Sequence, residues 1–214
     1  MNKSQIIVLG IISLSFIVAL SFYGSSCLPD RLASHWNARG QVDGYLPKFW
    51  GLFLMPLISL PLFGLFVLAP KIDPLKENIK GFRKYYDGFI VLIIAFLFYL
   101  QLLTIAWNVG LRFDLLKLLV PVLSIVFFAA WILMEHAKRN WFIGVRTPWT
   151  LSSDSVWDKT HRLGGKLFKA TALVSLLGFF WADGAFLFLI LPALASGLFI
   201  VFYSYYLYRQ EAKK

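Results

Sequence analysis

Two small sets of side chains in this 214-residue chain have the types that do chemistry. His35 and Asp43 stand in one polar interval, and Glu135, His136 and His161 flank another. Imidazole and carboxylate are common zinc ligands and common partners in proton transfer. A zinc centre needs three or four ligands in tight geometry. Neither set has the H-E-x-x-H spacing that puts two ligands and a base on one helix face. The first is read as a hydrogen-bonded structural cluster, and His161 as a packed interfacial residue. The chain has no G-x-S-x-G elbow, no Walker loop and no carboxylate pair spaced for acid–base work. The expectation is a protein that is not an enzyme, with no catalytic residue, no bound metal and no cofactor. Arg146 is the remaining chemical candidate. A guanidinium can grip a carboxylate or phosphate bidentately, or it can pair with Glu135, Asp154 or Asp158 of the same chain or rest on a lipid headgroup.

The elements that must position these groups are set by composition. The chain is 59% hydrophobic and only 15% charged, with a mean hydropathy of +0.70, whereas a soluble domain carries roughly a quarter charged residues. The apolar residues form six blocks, at 6–23, 49–69, 88–109, 115–134, 165–182 and 184–208. A helix needs about 20 residues to cross the hydrocarbon core. All six reach that length, the fifth only by placing its basic first turn among headgroups. Continuous rather than alternating runs argue against a β-barrel, and open strands in lipid would leave backbone groups unsatisfied. The fold class is therefore all-α: a polytopic bundle of six transmembrane helices. Pro56 and Pro61 should kink or locally unwind the second span. Gln101 and Asn108, seven residues apart on one face of the third, are read as interhelical glue. Ala182-Asp183-Gly184 makes a tight turn that folds spans five and six into a helical hairpin.

Charge then orients the bundle. Of the 21 Lys and Arg, sixteen fall on one set of alternate segments and five on the other, so the positive-inside rule places both termini in the cytoplasm. The net charge of +10 is assigned to topology and anionic headgroups, with no direct nucleic-acid partner. The single cysteine, Cys27, allows no intramolecular disulfide. Gly24 suits a lipobox poorly, and the run 6–23 is read as a retained first span rather than a cleaved signal peptide.

Two polar excursions follow from this topology. The outer loop, 25–48, should start a short helix at Pro29 and turn at Asn37-Ala38-Arg39-Gly40 and again at Asp43-Gly44. In the inner loop, 136–166, Gly144 and Pro148 break any helix, so 140–150 should be an ordered turn or hairpin-like segment. A helix is expected from Ser155, with Ser155 and Asp158 at capping-box spacing. Trp157 and His161 would share a face, and Gly164-Gly165 would mark where this helix meets span five.

These motifs carry a family resemblance. The stretch NWFIGVRTPWTLSSDSVWDKTHRLGG resembles the hallmark of the SdpI family of prokaryotic membrane proteins. The stretch PDRLASHWNARGQVDGYLPK resembles the small uncharacterised module that often precedes it. The matching inner positions are Asn140, Gly144, Arg146, Thr147, Pro148, Thr150, Trp157, His161 and Arg162; the outer ones are His35, Asn37, Gly40, Asp43 and Lys48. The resemblance implies a multi-pass cell-membrane protein of two modules. Residues 1–84 would carry two spans and the outer loop, and 85–214 four spans and the inner loop. It also implies immunity against, or sensing of, a membrane-acting toxin peptide met outside, with a cytosolic repressor held inside. A transporter or channel for a small or lipid-like substrate is the first alternative, weakened by the scarcity of charges at mid-membrane depth. A metal-dependent membrane enzyme is the second.

Overall fold

A computed structural model of the chain describes residues 1–181 and 184–213. Its elements run α1 (Lys3–Tyr23), β1 (Arg31–Trp36), β2 (Val42–Pro47), α2 (Lys48–Ile72), α3 (Lys76–Asn108), α4 (Leu115–His136), α5 (Pro148–Ser152), α6 (Asp154–Leu177) and α7 (Ala185–Glu211). Five of these helices (α1, α2, α3, α4 and α7) are long and apolar enough to cross a membrane. The fifth sequence block is not among the five. Its residues 165–177 lie in α6, which carries Asp154, Asp158, Lys159, Arg162 and Lys166 over its N-terminal part. The anticipated turn at Ala182-Asp183-Gly184 falls largely outside the described residues.

The chain divides into two compact units. The first comprises 1–67 and 90–119. Its core gathers Ala19 of α1, Leu28, Leu32 of β1, Leu52 and Phe53 of α2 and Ile105 of α3. Gln101 is completely buried. Its amide donates to the carbonyls of Ser15 (3.0 Å) and Leu52 (3.1 Å) and accepts from the Ser15 hydroxyl. One side chain thus ties α3 to α1 and α2 with its polar atoms paired, the condition for placing an amide in an apolar core. α2 is continuous through Pro56 and Pro61, without the anticipated local unwinding.

The second unit comprises 68–89 and 120–214. α6 and α7 pack antiparallel. Thr171 bonds the Ser196 hydroxyl (3.0 Å) and donates to the carbonyl of Pro192 (3.3 Å), and Ser175 donates to Phe188 (3.4 Å). Helix α6 runs unbroken through Gly164 and Gly165, so these residues are not a junction. A Cβ on Gly164 would collide with Met134, and one on Gly165 would lie 3.0–3.1 Å from Trp131 and Glu135. The missing side chains let α6 lie close against α4. The start of α6 also differs from expectation: Ser153, not Ser155, is the N-cap, its hydroxyl accepting from the Val156 amide at 3.3 Å.

Candidate functional site

The loop before α2 is a β-hairpin, a departure from an all-α fold and from a helix starting at Pro29. β1 and β2 pair antiparallel, with Arg31 opposite Pro47 and Trp36 opposite Val42. Two six-residue strands joined by a short Gly-containing loop are a hairpin pattern. The loop is built by Asn37, whose Oδ1 accepts from the amides of Arg39 (2.9 Å) and Gln41 (3.1 Å). Gly40 supplies the left-handed backbone, φ +73°. Asp43-Gly44, anticipated as a second turn, is part of β2. Gly44 sits opposite His35, so close that a Cβ would lie 2.9 Å from the His35 Cβ.

This pairing brings His35 and Asp43 together. Nδ1 and Oδ1 are 2.5 Å apart on the exposed face. The inward face is held by α3. Asn108 Oδ1 accepts from the Ala33 amide (2.8 Å), and its Nδ2 donates to the Ala33 carbonyl (3.0 Å), filling the ladder where the strand register shifts. Lys48 closes the base: its amide donates to the Asp30 carbonyl (2.7 Å) and its Nζ to that of Ser25 (2.6 Å). Of the five outer candidates, Asn37, Gly40 and Lys48 shape the hairpin, while His35 and Asp43 present polar atoms outward.

The segment between α4 and α6 is a knot of buried polar side chains. Asn140 is completely buried. Its Oδ1 accepts from the amides of Phe142 (2.9 Å) and Ile143 (2.6 Å), and its Nδ2 donates to the carbonyls of Lys138 (2.9 Å) and Ile143 (3.0 Å). Thr147 caps α5 in a reciprocal box with Thr150, and Pro148 takes the first helical position. The Thr147 hydroxyl also reaches Ser204 of α7 at 3.1 Å. The Trp157 indole donates to the Ala137 carbonyl (2.8 Å) and stacks on His161, ring centroids 4.0 Å apart.

His161 fixes the chain beside Gly144. Its Nδ1–H donates to the Trp157 carbonyl (3.0 Å), and its Nε2 accepts from the Val145 amide (3.0 Å). Both partners demand the neutral ring, and burial lowers its pKa to about 4. Gly144, φ +101°, passes so near that a Cβ would overlap Nε2. With both nitrogens engaged, His161 has no lone pair left for a metal. Among the described residues no three His, Cys, Asp or Glu gather as a metal site.

Arg146 makes none of the anticipated carboxylate pairs. It donates to the Trp141 carbonyl (3.0 Å), and Asp154 pairs instead with Arg139 at 2.7 Å. The stretch 68–89, which the family motifs do not include, supports the knot. The buried Asp73 accepts from the Trp141 amide (2.8 Å), and Asn78 donates to the Arg139 carbonyl (2.8 Å). Tyr85 stacks on His136 with centroids 3.7 Å apart. The one sequence signal of that role was Asp73 ahead of Pro74 and a helix start, the pattern of a side-chain cap. A cavity of about 570 Å³ opens between the end of α4 and the first half of α6. Glu135, Lys138, Asp158, Arg162 and Lys166 line it with one edge of His161. Arg162 is thus exposed on the rim of the knot rather than inside it.

Residues 136–204 match the SdpI/YfhL protein family, and residues 10–60 match a domain of unknown function, DUF1648. The immunity protein SdpI of Bacillus subtilis (strain 168) is 24% identical over 209 residues, covering 97% of each chain. No solved structure matches. The two matched segments contain the hairpin and most of the buried knot, and the similarity to the Bacillus subtilis immunity protein extends across nearly the full length.

Proposed function

We propose that this multi-pass membrane protein confers immunity to a membrane-acting peptide toxin, with the hairpin as its outward-facing sensor. The observation that carries the reading is the end-to-end similarity to a protein named for immunity. In this reading the chain has two modules, 1–84 and 85–214. It crosses the bilayer six times, the stretch from Gly165 onward supplying the crossing beyond the five long apolar helices, and both termini are cytoplasmic. The hairpin then meets the toxin through His35 and Asp43. The segment 136–166 lies in the cytoplasm, where its exposed rim docks a repressor. The charge distribution supports this orientation, and the exposed His35–Asp43 pair offers the outer surface a polar contact.

Survival is the direct test. The chain is expressed in a toxin-sensitive bacterium lacking its own immunity gene and challenged with secreted membrane-acting peptides. Protection by the intact chain, lost in the Asp43→Ala variant at equal membrane abundance, is the expected result. Unchanged killing by every peptide removes the proposal. Impermeant labelling of single cysteines at Lys48 and Lys159 in a Cys27→Ser background tests the orientation, and labelling of both from one side overturns it.

A further inference from the structure

The cavity between α4 and α6 is bordered by charges of both signs that do not neutralise one another. Lys138, Arg162 and Lys166 supply cations, and Glu135 and Asp158 supply carboxylates. All five side chains are exposed, and none takes part in an ion pair among the described residues. In the buried knot beside them Asn140, Thr147, Thr150, Trp157 and His161 find their partners without these charges.

Their order along α6 is informative. Asp158, Arg162 and Lys166 recur every four residues and form one stripe, spaced roughly 6 Å apart along the axis. The stripe runs toward the apolar end of the helix. The Glu135 side chain packs at the level of Gly165, where a Cβ would meet its Cγ at 3.1 Å. One turn further on, Lys169 lies over the Trp131 ring at 4.6 Å, an aromatic–cation pair typical of the membrane–water boundary. The cavity therefore opens at headgroup depth, with Lys166 and Glu135 at its apolar end, Arg162 next and Asp158 one turn beyond Arg162.

We propose that this cavity binds the headgroup of an aminophospholipid, a phosphate joined to a primary ammonium by a short bridge. Arg162 and Lys166 take the phosphate, Arg162 with the planar fork suited to its oxygens. Asp158 takes the ammonium one helical turn away, about the reach of a two-carbon bridge at roughly 5.4 Å per turn. The acyl chains lie along the apolar halves of α4 and α6. A purely anionic headgroup would leave Asp158 repelled and unpaired, so two-signed lining favours the zwitterion. The inference rests on the chain being a membrane protein and is independent of toxin immunity.

The test is lipid retention by the full chain in mild detergent, read by native mass spectrometry after exchange from vesicles of equimolar phosphatidylethanolamine, phosphatidylglycerol and phosphatidylcholine. The expected result is preferential retention of phosphatidylethanolamine. Arg162→Gln should reduce retention of all three about tenfold, the loss of one charge-assisted contact. Asp158→Asn should instead abolish the preference for phosphatidylethanolamine while retaining phospholipid. Both positions are exposed, and an unchanged melting temperature confirms that each variant is folded. Preference for phosphatidylglycerol, equal retention of all three, or indifference to both substitutions overturns the proposal. Free phosphoethanolamine at millimolar concentration should not displace the lipid; full displacement would assign the cavity to a soluble ligand instead.

Discussion

The hairpin at 31–47 and the knot at 140–161 are both polar excursions from an apolar chain, yet they use their family-matched residues in opposite ways. In the hairpin, His35 and Asp43 put their polar atoms on the surface, with side chains 71% and 44% exposed. In the knot, Asn140, Thr150, Trp157 and His161 are at most 2% exposed, and their polar atoms are spent on backbone groups of the same loop. The contrast follows from secondary structure. A ladder satisfies the hairpin's backbone, freeing outward side chains. The loop 137–147 has no ladder, so side chains must supply the partners that its buried amides and carbonyls need. A residue matched by a family pattern therefore means different things in the two places. In the knot Asn140, Thr150, Trp157 and His161 maintain shape, while Arg162 stands on the charged rim around them.

If the knot is scaffold, the sharpest way to break it is at Gly144. Gly144→Ala forces a side chain into a left-handed backbone and onto Nε2 of His161, which releases the Val145 amide. The combined cost is about 3 kcal/mol, from backbone strain and an unsatisfied buried donor. Thermal unfolding of the detergent-solubilised protein should show it as a large drop in melting temperature. An unchanged melting temperature would mean the knot does not depend on this contact.

Acid should act on the knot. The folded chain holds His161 neutral down to about pH 4, whereas the unfolded chain protonates it near pH 6.5. Between those values the unfolded state binds the extra proton, so stability falls as pH drops from 6.5 to 4 and is unaffected by this group above 6.5. The loss is on the order of 3 kcal/mol across that window. Unfolding midpoints measured from pH 8 to 4 in the parent and in His161→Gln should differ in slope only below pH 6.5. Parallel profiles would contradict the buried neutral ring.

The hairpin's counterpart to these buried groups lies outside it, on α3. Asn108→Leu removes both bonds to Ala33 and leaves that amide without its partner. A destabilisation of roughly 1–2 kcal/mol is expected, tempered because chains unfolded within a membrane find other partners. Amide exchange at Ala33 is the local measurement, and it should accelerate more than exchange in α1.

The limits of the sequence follow the same division. The long apolar helices were legible because hydrocarbon imposes length and composition on each one separately. Gln101 was legible as interhelical glue because a polar amide on an apolar face needs a partner; Asn108 finds its partner in the hairpin instead of another helix. The stacked Trp157 and His161 were legible from i, i+4 spacing. What stayed hidden depends on groups distant in the chain. The hairpin register is set by Asn108, far along the sequence, and β1 buries only Leu32 and Ala33, so its alternation is too short to read. The knot's closure by Asp73 and Asn78 joins a loop outside both family motifs to one inside. The cavity's two-signed rim came from α4 and α6 meeting at Gly164 and Gly165, a pair that resembled a breaker in sequence and is a contact in space.

The smallest expected change in stability is also the one that separates scaffold from sensor. Asp43→Asn keeps the hairpin's shape and removes one charge from an exposed pair, which should cost no more than about 0.5 kcal/mol. Its melting temperature should match the parent. If the hairpin acts as the toxin contact, protection should nevertheless fall, because exposed polar atoms that do not support the fold are free to bind. The conservative change at the knot, Thr150→Ser, keeps the hydroxyl at a buried position that donates to Val145 at 2.8 Å, and protection should persist. Equal loss of protection in both variants would dissolve the distinction between the two regions. Protection retained in Asp43→Asn would move the binding surface away from the His35–Asp43 pair.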